Sequence, residues 1–220
     1  MAASLVGMTL PPWASHLEHK LAPPPLLLIQ AFADTLDLDL GTDILARDGD
    51  ARDWLAAAFG GPAFGLGQPG AEPGAEPGIE PGDPELAGEL QLAREVRESV
   101  RALIARNAGG ESLTEDQLRP LRRVALEAPA ALAAAAGGEI RLEVAPSAHW
   151  IAGGLAGLLV AIRDAQADGS WDRLKPCGNP DCQWAFYDRS HSRRGAWCDM
   201  ASCGNRLKNR SLRARRAQPS

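Results

Sequence analysis

Residues 177–206 read CGNPDCQWAFYDRSHSRRGAWCDMASCGNR, and the cysteines of this stretch determine how the C-terminal part of the chain folds. The four cysteines have the spacing C-x4-C-x15-C-x4-C and are Cys177, Cys182, Cys198 and Cys203. Two close pairs separated by a loop allow a chain to place four thiolates around one tetrahedral ion. Because Zn²⁺ favours such soft, closed sites, the spacing predicts a site for one Zn²⁺.

Two disulfide bonds or an iron–sulfur cluster are the alternative uses of these cysteines. The first thirty residues lack a basic start, and Pro11, Pro12 and residues 23–25 interrupt any apolar signal core. We therefore expect no secretory segment and a cytoplasmic protein, whose reducing surroundings disfavour disulfides. The cysteine spacing also matches neither common ferredoxin pattern.

A zinc ion held by four thiolates has no open coordination position and cannot activate water. Its predicted role is structural, since binding would stabilise a C-terminal piece with too small a core of its own. We find no nucleophile–base pair, phosphate loop or open metal triad in the sequence. We therefore expect no catalytic residues and no enzyme activity.

The charges of the chain are unevenly distributed. Residues 171–220 contain eleven Lys or Arg and four Asp or Glu, a net charge of +7. Residues 1–170 contain twelve Lys or Arg and twenty-four Asp or Glu, a net charge of −12. A basic piece on an acidic body indicates a polyanionic partner.

The last segment, from Asp199 to about Arg216, is predicted to be a helix with Asp199 as its cap. Cys203 would lie in its first turn, and basic side chains would line its flanks. This arrangement suits contact with a phosphate backbone or a nucleic-acid groove, and a merely solvated basic helix is the alternative. The predicted nucleic-acid-binding residues are Arg193, Arg194, Arg206, Lys208, Arg210, Arg213, Arg215 and Arg216.

The fold class predicted for the whole chain is mostly α with little strand: a helical domain, then a small four-cysteine zinc finger that ends in a basic helix. Residues 1–25 show no sustained period and are predicted to be a flexible extension. Residues 26–168 are predicted to form the helical domain, and residues 171–216 the finger. Three Glu-Pro-Gly units make residues 60–84 a predicted linker or insertion, because neither helix nor strand tolerates them.

Local patterns predict several elements of the helical domain. An apolar stripe at three- and four-residue spacing predicts a helix over residues 85–106. Thr114 and Gln117 have the spacing of a capping box. Residues 140–144 alternate and predict one half-buried strand, whereas the apolar run after Leu26 fits a helix or a strand equally well. The longest apolar stretch, about 150–162, is shorter than the ~20 residues of a membrane span, so no membrane partner is expected.

The finger residues resemble the bacterial CGNR zinc-finger family over roughly residues 171–216. The segments that carry the resemblance are Cys177-Gly-Asn-Pro-Asp-Cys182, Trp184-Ala-Phe-Tyr-Asp188, Arg193-Arg194, Trp197-Cys198 and Cys203-Gly204-Asn205-Arg206. Proteins of that family typically join an N-terminal ABATE domain to the finger and are described as stress-induced transcription regulators. Phe32-Ala-Asp-Thr35 is similar to the family's opening pattern, with Asp34 where Asn is usual.

The resemblance implies zinc on the four cysteines and DNA binding by the finger. A transcription regulator is thus the first hypothesis, with DNA as partner and an N-terminal domain that senses a small-molecule effector or forms a homodimer. The alternative is a zinc-stabilised module whose basic helix binds RNA or an acidic protein surface. The acidic N-terminal domain of the same chain is one candidate for that surface.

Overall fold

The structure is a computed structural model that describes residues 10–17, 19–60, 84–145 and 149–216, with residues 211–216 described as backbone only. The described residues form six α-helices and little strand, which confirms the predicted fold class. The helices are α1 (Leu26–Ala33), α2 (Asp48–Phe59), α3 (Pro84–Arg106), α4 (Glu115–Glu127), α5 (Trp150–Asp168) and α6 (Asn205–Arg216). The strands form three antiparallel pairs, β1 (Leu36–Asp37) with β2 (Thr42–Asp43), β3 (Ala130–Ala134) with β4 (Ile140–Val144), and β5 (Leu174–Pro176) with β6 (Ala185–Tyr187).

Helix α1 lies at the centre of the core, and all eight of its residues are buried. Ile29 and Phe32 are fully inaccessible to solvent. The helix packs against α3 and α5, so no face of it is exposed to solvent. A helix buried all round shows no amphipathic period, which is why its sequence fits a strand equally well.

Helix α3 confirms the predicted helix over residues 85–106. Its apolar stripe, which includes Leu90, Val96 and Val100, is buried against α1, α4 and α5. Gly154 of α5 lets α2 pack closely against it, because a Cβ at this position would lie 2.1 Å from the Phe59 ring.

The predicted capping box starts α4. The backbone N–H of Thr114 donates to Gln117 Oε1 at 2.9 Å, and the backbone N–H of Gln117 donates to Thr114 Oγ1 at 3.4 Å. Two backbone donors at the helix start are thereby satisfied.

The β3–β4 hairpin agrees only in part with the sequence prediction. The strand over residues 140–144 is confirmed, but Ile140 is 66% exposed, so the prediction of a half-buried strand is wrong at that end. Its partner β3 was not predicted, because the alanine-rich run Ala130–Ala134 has no alternation of polar and apolar residues. The hairpin turns its Ile140 end towards solvent instead of the core.

The prediction of a flexible extension over residues 1–25 is wrong for residues 10–17 and 19–25. Trp13, Leu17 and Ala22 are buried in the main core, and the indole of Trp54 donates to the carbonyl of Trp13 at 3.0 Å. Burial of these side chains stabilises a segment that has no periodic pattern of its own. Residues 1–9 and 18, and 61–83 of the predicted linker, lie outside the described residues.

The β5–β6 hairpin joins the C-terminal piece to the helical domain. Trp171, Leu174 and Tyr187 belong to the same buried cluster as the helices. Gln30 Nε2 donates to the carbonyl of Ala185 at 3.0 Å, which ties α1 to β6. On the opposite side, Phe186 packs against the cysteines, so β6 lies between the two cores. None of the described helices is both long and apolar enough to cross a lipid bilayer.

Candidate metal centre and basic surface

The four predicted cysteines converge on one point. Their Sγ atoms all lie within 4.8 Å of one another, and all four residues are buried. The Sγ atom of Cys198 lies 3.8 Å from those of both Cys182 and Cys203. Zn–S bonds of about 2.3 Å in a tetrahedron place neighbouring sulfurs about 3.8 Å apart, so the spacing fits Zn²⁺. A disulfide needs about 2.05 Å, and the four cysteines are free, which excludes the disulfide alternative for this fold.

The turn after Cys177 is shaped by Asn179. Its carbonyl accepts the backbone N–H of Cys182 at 2.9 Å and of Gln183 at 3.0 Å. Its side-chain Nδ2 lies 3.7 Å from Cys203 Sγ, in position to donate a hydrogen bond to that sulfur. Asn179 therefore closes the first cysteine pair and also orients a ligand of the second.

Two glycines of the family motif stand where a side chain would collide. A Cβ at Gly178 would lie 3.0 Å from the Trp197 ring and 3.1 Å from the carbonyl oxygen of Ala196. A Cβ at Gly204 would lie 2.3 Å from Met200 Sδ. The two cysteine turns thus approach Trp197 closely because glycine follows a cysteine in each.

The second cysteine pair leads directly into α6. The carboxylate of Asp199 accepts the backbone N–H of Ser202 at 2.7 Å, which confirms Asp199 as the predicted cap. Hydrogen bonds from the backbone and the side chain of Ser202 lower the pKa of Asp199 below its usual value. A wide π-helical turn over Met200–Gly204 carries Cys203, and α6 begins at the next residue. The cysteine cluster therefore sets the position of the helix that carries the basic residues.

The thiol groups influence one another strongly. Hydrogen bonds from the thiols of Cys182 and Cys198 lower the pKa of Cys177 to about 2. The hydrogen bond to Cys177 raises the pKa of Cys182 to about 12. Hydrogen bonds to Cys177 and Cys182 raise the pKa of Cys198. Ionisation of Cys177 thus makes ionisation of its neighbours harder, and a cation is needed to hold further thiolates beside it. The donor set therefore fits a zinc ion that displaces the remaining thiol protons. The finger therefore holds one structural Zn²⁺, with these cysteines as its ligands.

Asp188 organises the loop between the two cysteine pairs, a role that the sequence did not reveal. Its carboxylate accepts the backbone N–H groups of Ser190 at 3.0 Å and Gly195 at 2.7 Å, and it lies 3.2 Å from Lys175 Nζ. Burial by itself raises the pKa of Asp188, but these hydrogen bonds outweigh it and hold the pKa at about 2. The carboxylate is therefore ionised and fixes the loop that carries Arg193 and Arg194.

The predicted nucleic-acid-binding residues lie mostly at the surface, but some are already paired. Arg206 Nη1 contacts both carboxylate oxygens of Asp39, at 2.6 and 2.8 Å. Arg210 Nη2 lies 2.7 Å from the carboxylate of Asp181. Arg193, Arg194 and Lys208 are exposed. The side chains of Arg213, Arg215 and Arg216 lie outside the described residues, so their predicted contacts stay predictions.

Lys20 is a second residue that sequence reasoning missed. Its carbonyl accepts the backbone N–H of Tyr187 at 2.8 Å, and its Nζ donates to the carbonyl of Trp197. The same ammonium lies 4.7 Å from the centre of the Phe186 ring, where a cation is attracted to the aromatic face. No local pattern marks Lys20, because all its partners are distant in sequence.

Asp34, which the resemblance singled out, is buried at the junction of the two cores. Its Oδ1 accepts the backbone N–H of Ala185 at 2.8 Å, and its Oδ2 has no partner among the described residues. Burial raises the pKa of Asp34 well above its usual value, which favours the neutral form of the acid in the folded state. A neutral carboxylic acid has nearly the shape of the asparagine that is usual at this position in the family. Its Oδ1 can still accept the hydrogen bond from Ala185.

Fold and site together define a four-cysteine zinc-finger protein whose finger is built onto a helical domain. The sequence matches the CGNR zinc finger over residues 173–216. Over residues 24–167 it matches ABATE, described as "Putative stress-induced transcription regulator", and this match covers more than half of the chain. The chain therefore belongs to the ABATE family and carries a CGNR zinc finger. No curated protein matches the chain.

Proposed function

We propose that the chain is a zinc-dependent, DNA-binding transcription regulator whose helix α6 contacts DNA. The observation that carries the proposal is the direct connection between metal cluster and helix. Cys203 and Gly204 are buried at the cluster, and Asn205 begins α6. Because zinc fixes this turn, the exposed Arg206 and Lys208 project from a positioned surface and not from a flexible tail.

The charges support a polyanionic partner. In the part of α6 whose side chains are described, Arg206, Lys208 and Arg210 are all exposed. Such side chains position a protein on the phosphate backbone, which makes affinity strongly dependent on salt. The family description supports transcription regulation as the role of this binding.

The remaining parts of the proposal concern the rest of the molecule. We propose that the helical domain of residues 26–168 senses a small-molecule effector or forms a homodimer, and that the protein works in the cytoplasm. The zinc site is structural, because four thiolate ligands leave no position for substrate on the metal. We propose no enzyme activity for the chain.

The test is selection of bound fragments from random duplex DNA by the zinc-loaded full chain, followed by titration at several salt concentrations. Four phosphate contacts predict a slope of about −3.6 in log K against log salt. Lys208→Ala reduces the magnitude of that slope by about 0.9, whereas Arg119→Ala on the exposed side of α4 leaves it unchanged. The proposal is contradicted if the selection enriches no DNA fragment and DNA affinity does not change with salt concentration.

The second candidate function is a zinc-stabilised module that binds an acidic protein surface. The ion pairs of Arg206 with Asp39 and of Arg210 with Asp181 favour it, since the basic helix already contacts carboxylates of its own chain. Under this candidate, Asp39→Asn in the full chain leaves DNA binding weak and insensitive to sequence. Under the first candidate, the same variant binds DNA more tightly.

A further inference from the structure

A surface cavity of about 390 Å³ lies where the N-terminal segment meets the finger. Its volume falls in the lower range of small-molecule sites. One wall is the loop after β6, and the other includes Lys20. Its polar lining comes from Lys20, Asp188, Arg189, Ser190, Ser192 and Arg194.

The charge of this cavity favours an anion. Lys20, Arg189 and Arg194 supply three positive charges. Asp188 supplies one negative charge, but its side chain is only 4% exposed and lies 3.2 Å from Lys175 Nζ. Because Lys175 neutralises the charge of Asp188, this carboxylate does not offset the positive charges of Lys20, Arg189 and Arg194.

The loop that carries two of the cations is fixed before any ligand arrives. Arg173 Nη1 donates to the carbonyls of Asp188 at 2.9 Å and Ser190 at 3.1 Å. The carboxylate of Asp188 binds the backbone N–H groups of Ser190 and Gly195, at the two ends of the loop. A site whose donors are already held loses less entropy when a ligand binds.

The basic side chains that line the cavity keep donors beyond those used within the protein. Lys20 Nζ uses one donor on the carbonyl of Trp197. Arg189 uses Nη2 on the carbonyl of Leu21 at 2.8 Å, and its guanidinium lies over the Tyr187 ring. A guanidinium has five N–H donors and an ammonium three, so Arg189 and Lys20 retain donors for a ligand. Ser192 adds a hydroxyl group at the exposed rim.

Lys20 makes the N-terminal segment, as well as the finger loop, part of the cavity wall. The residue lies outside both family matches, which begin at residues 24 and 173. It reaches the finger because the segment of residues 19–22 is held to the β6 end by two hydrogen bonds, Tyr187 N–H to Lys20 and Arg189 to Leu21. A ligand in this cavity therefore contacts the N-terminal segment and the finger loop together.

We propose that this cavity is a binding site for a phosphate group. Arginine and lysine donors beside a serine hydroxyl are the recurring partners of phosphate oxygens, and arginine can bind two of them at once. The phosphate belongs either to a small phosphate-bearing ligand or to the DNA backbone. Only the second source rests on the proposed function.

The test uses the zinc-loaded full chain and inorganic phosphate as the probe. Calorimetric titration with sodium phosphate, at ionic strength held constant with sodium chloride, shows saturable binding to one site. Arg194→Gln weakens this binding about tenfold or more, because a charge-assisted hydrogen bond is lost. The matched control is Arg163→Gln on α5, which removes the same charge from an exposed pair with Asp164 and leaves phosphate binding unchanged.

The two sources of phosphate are separated by salt titration of DNA binding by the same variants. If Arg194→Gln loses phosphate binding and its slope of log K for DNA against log salt is smaller by about 0.9, the site binds a phosphate of the DNA backbone. Loss of phosphate binding with an unchanged slope assigns it to a small ligand, and this result stands even if the chain does not bind DNA. If wild type shows no saturable phosphate binding, or if Arg194→Gln and Lys20→Gln both bind phosphate as wild type does, the proposal is overturned.

Discussion

Arg206 Nη1 lies 2.6 and 2.8 Å from the two carboxylate oxygens of Asp39, across 167 positions of the sequence. Asp39 is in the turn between β1 and β2, so the basic helix is bound to the helical domain. The side chains are 47% and 34% exposed, and an ion pair this accessible to solvent contributes little to stability. A DNA phosphate can therefore replace Asp39 as the partner of Arg206.

Asp39→Asn is expected to increase DNA affinity about two- to fivefold, because phosphate no longer competes with a carboxylate for Arg206. The measurement is DNA binding of the full chain at fixed salt. Asp53→Asn is the matched control, since it changes the net charge equally at an exposed position on α2. Equal gains in the two variants would show that net charge, and not the Arg206 pair, determines the effect.

Asn179→Ala is expected to weaken zinc binding about 10- to 100-fold, because the Nδ2 donor beside Cys203 Sγ is lost. Competition with a chelator of known affinity measures this change. Asn209→Ala, at an exposed position on α6, should bind zinc as wild type does. Unchanged zinc affinity in Asn179→Ala would mean that the 3.7 Å contact does not stabilise the ligand.

Gly195→Ala is expected to destabilise the chain by about 1–3 kcal/mol, because the new Cβ would lie 2.8–2.9 Å from the Asp188 carboxylate. That carboxylate is buried and held by several donors, so it has little room to move. Gly88→Ala, at an open position of α3, should instead raise stability by up to about 1 kcal/mol. Denaturant unfolding of both variants measures the difference, and a neutral effect of Gly195→Ala would argue against a rigid loop.

Asp34→Asn is expected to make the chain more stable at neutral pH and to have little effect near pH 4. The folded-state pKa of Asp34 is raised by burial, with Arg101 and Asp37 as the charged neighbours that also influence it. Such a group stabilises the fold fully below its unfolded pKa of about 3.9, and that contribution is lost as pH rises through the folded pKa. Each unit of raised pKa corresponds to about 1.4 kcal/mol.

The check on Asp34 is the difference in unfolding free energy between wild type and Asp34→Asn, measured from pH 4 to pH 8. The difference should grow with pH over this range. Asp53→Asn serves as the exposed control, with no growth expected. A constant difference between wild type and Asp34→Asn would mean that Asp34 is not neutral in the folded state.

Local sequence patterns were sufficient for the zinc site and for the amphipathic elements. The cysteine spacing identifies the ligands because a tetrahedral site requires two close pairs, and the stripe of α3 identifies a helix that is buried on one side. The capping box at Thr114 needs only neighbouring residues. In each case the interaction that decides the structure lies within a few turns of the chain or follows from ligand chemistry.

The remaining features depend on partners that are distant in sequence. Trp13 shows no periodic context, and its burial follows from the position of α2. Strand β3 has no alternation of its own and forms because β4 pairs with it. The contacts of Lys20 and Asp39 with the finger join residues more than 160 positions apart, so no local pattern could predict them.

The most direct test of the central claim, that zinc positions α6 for DNA, is DNA binding by the full chain before zinc removal, after chelation and after zinc is restored. We predict that binding to the selected duplex is lost on chelation and recovers with one equivalent of Zn²⁺. Binding that is unchanged in the zinc-free protein would contradict the account.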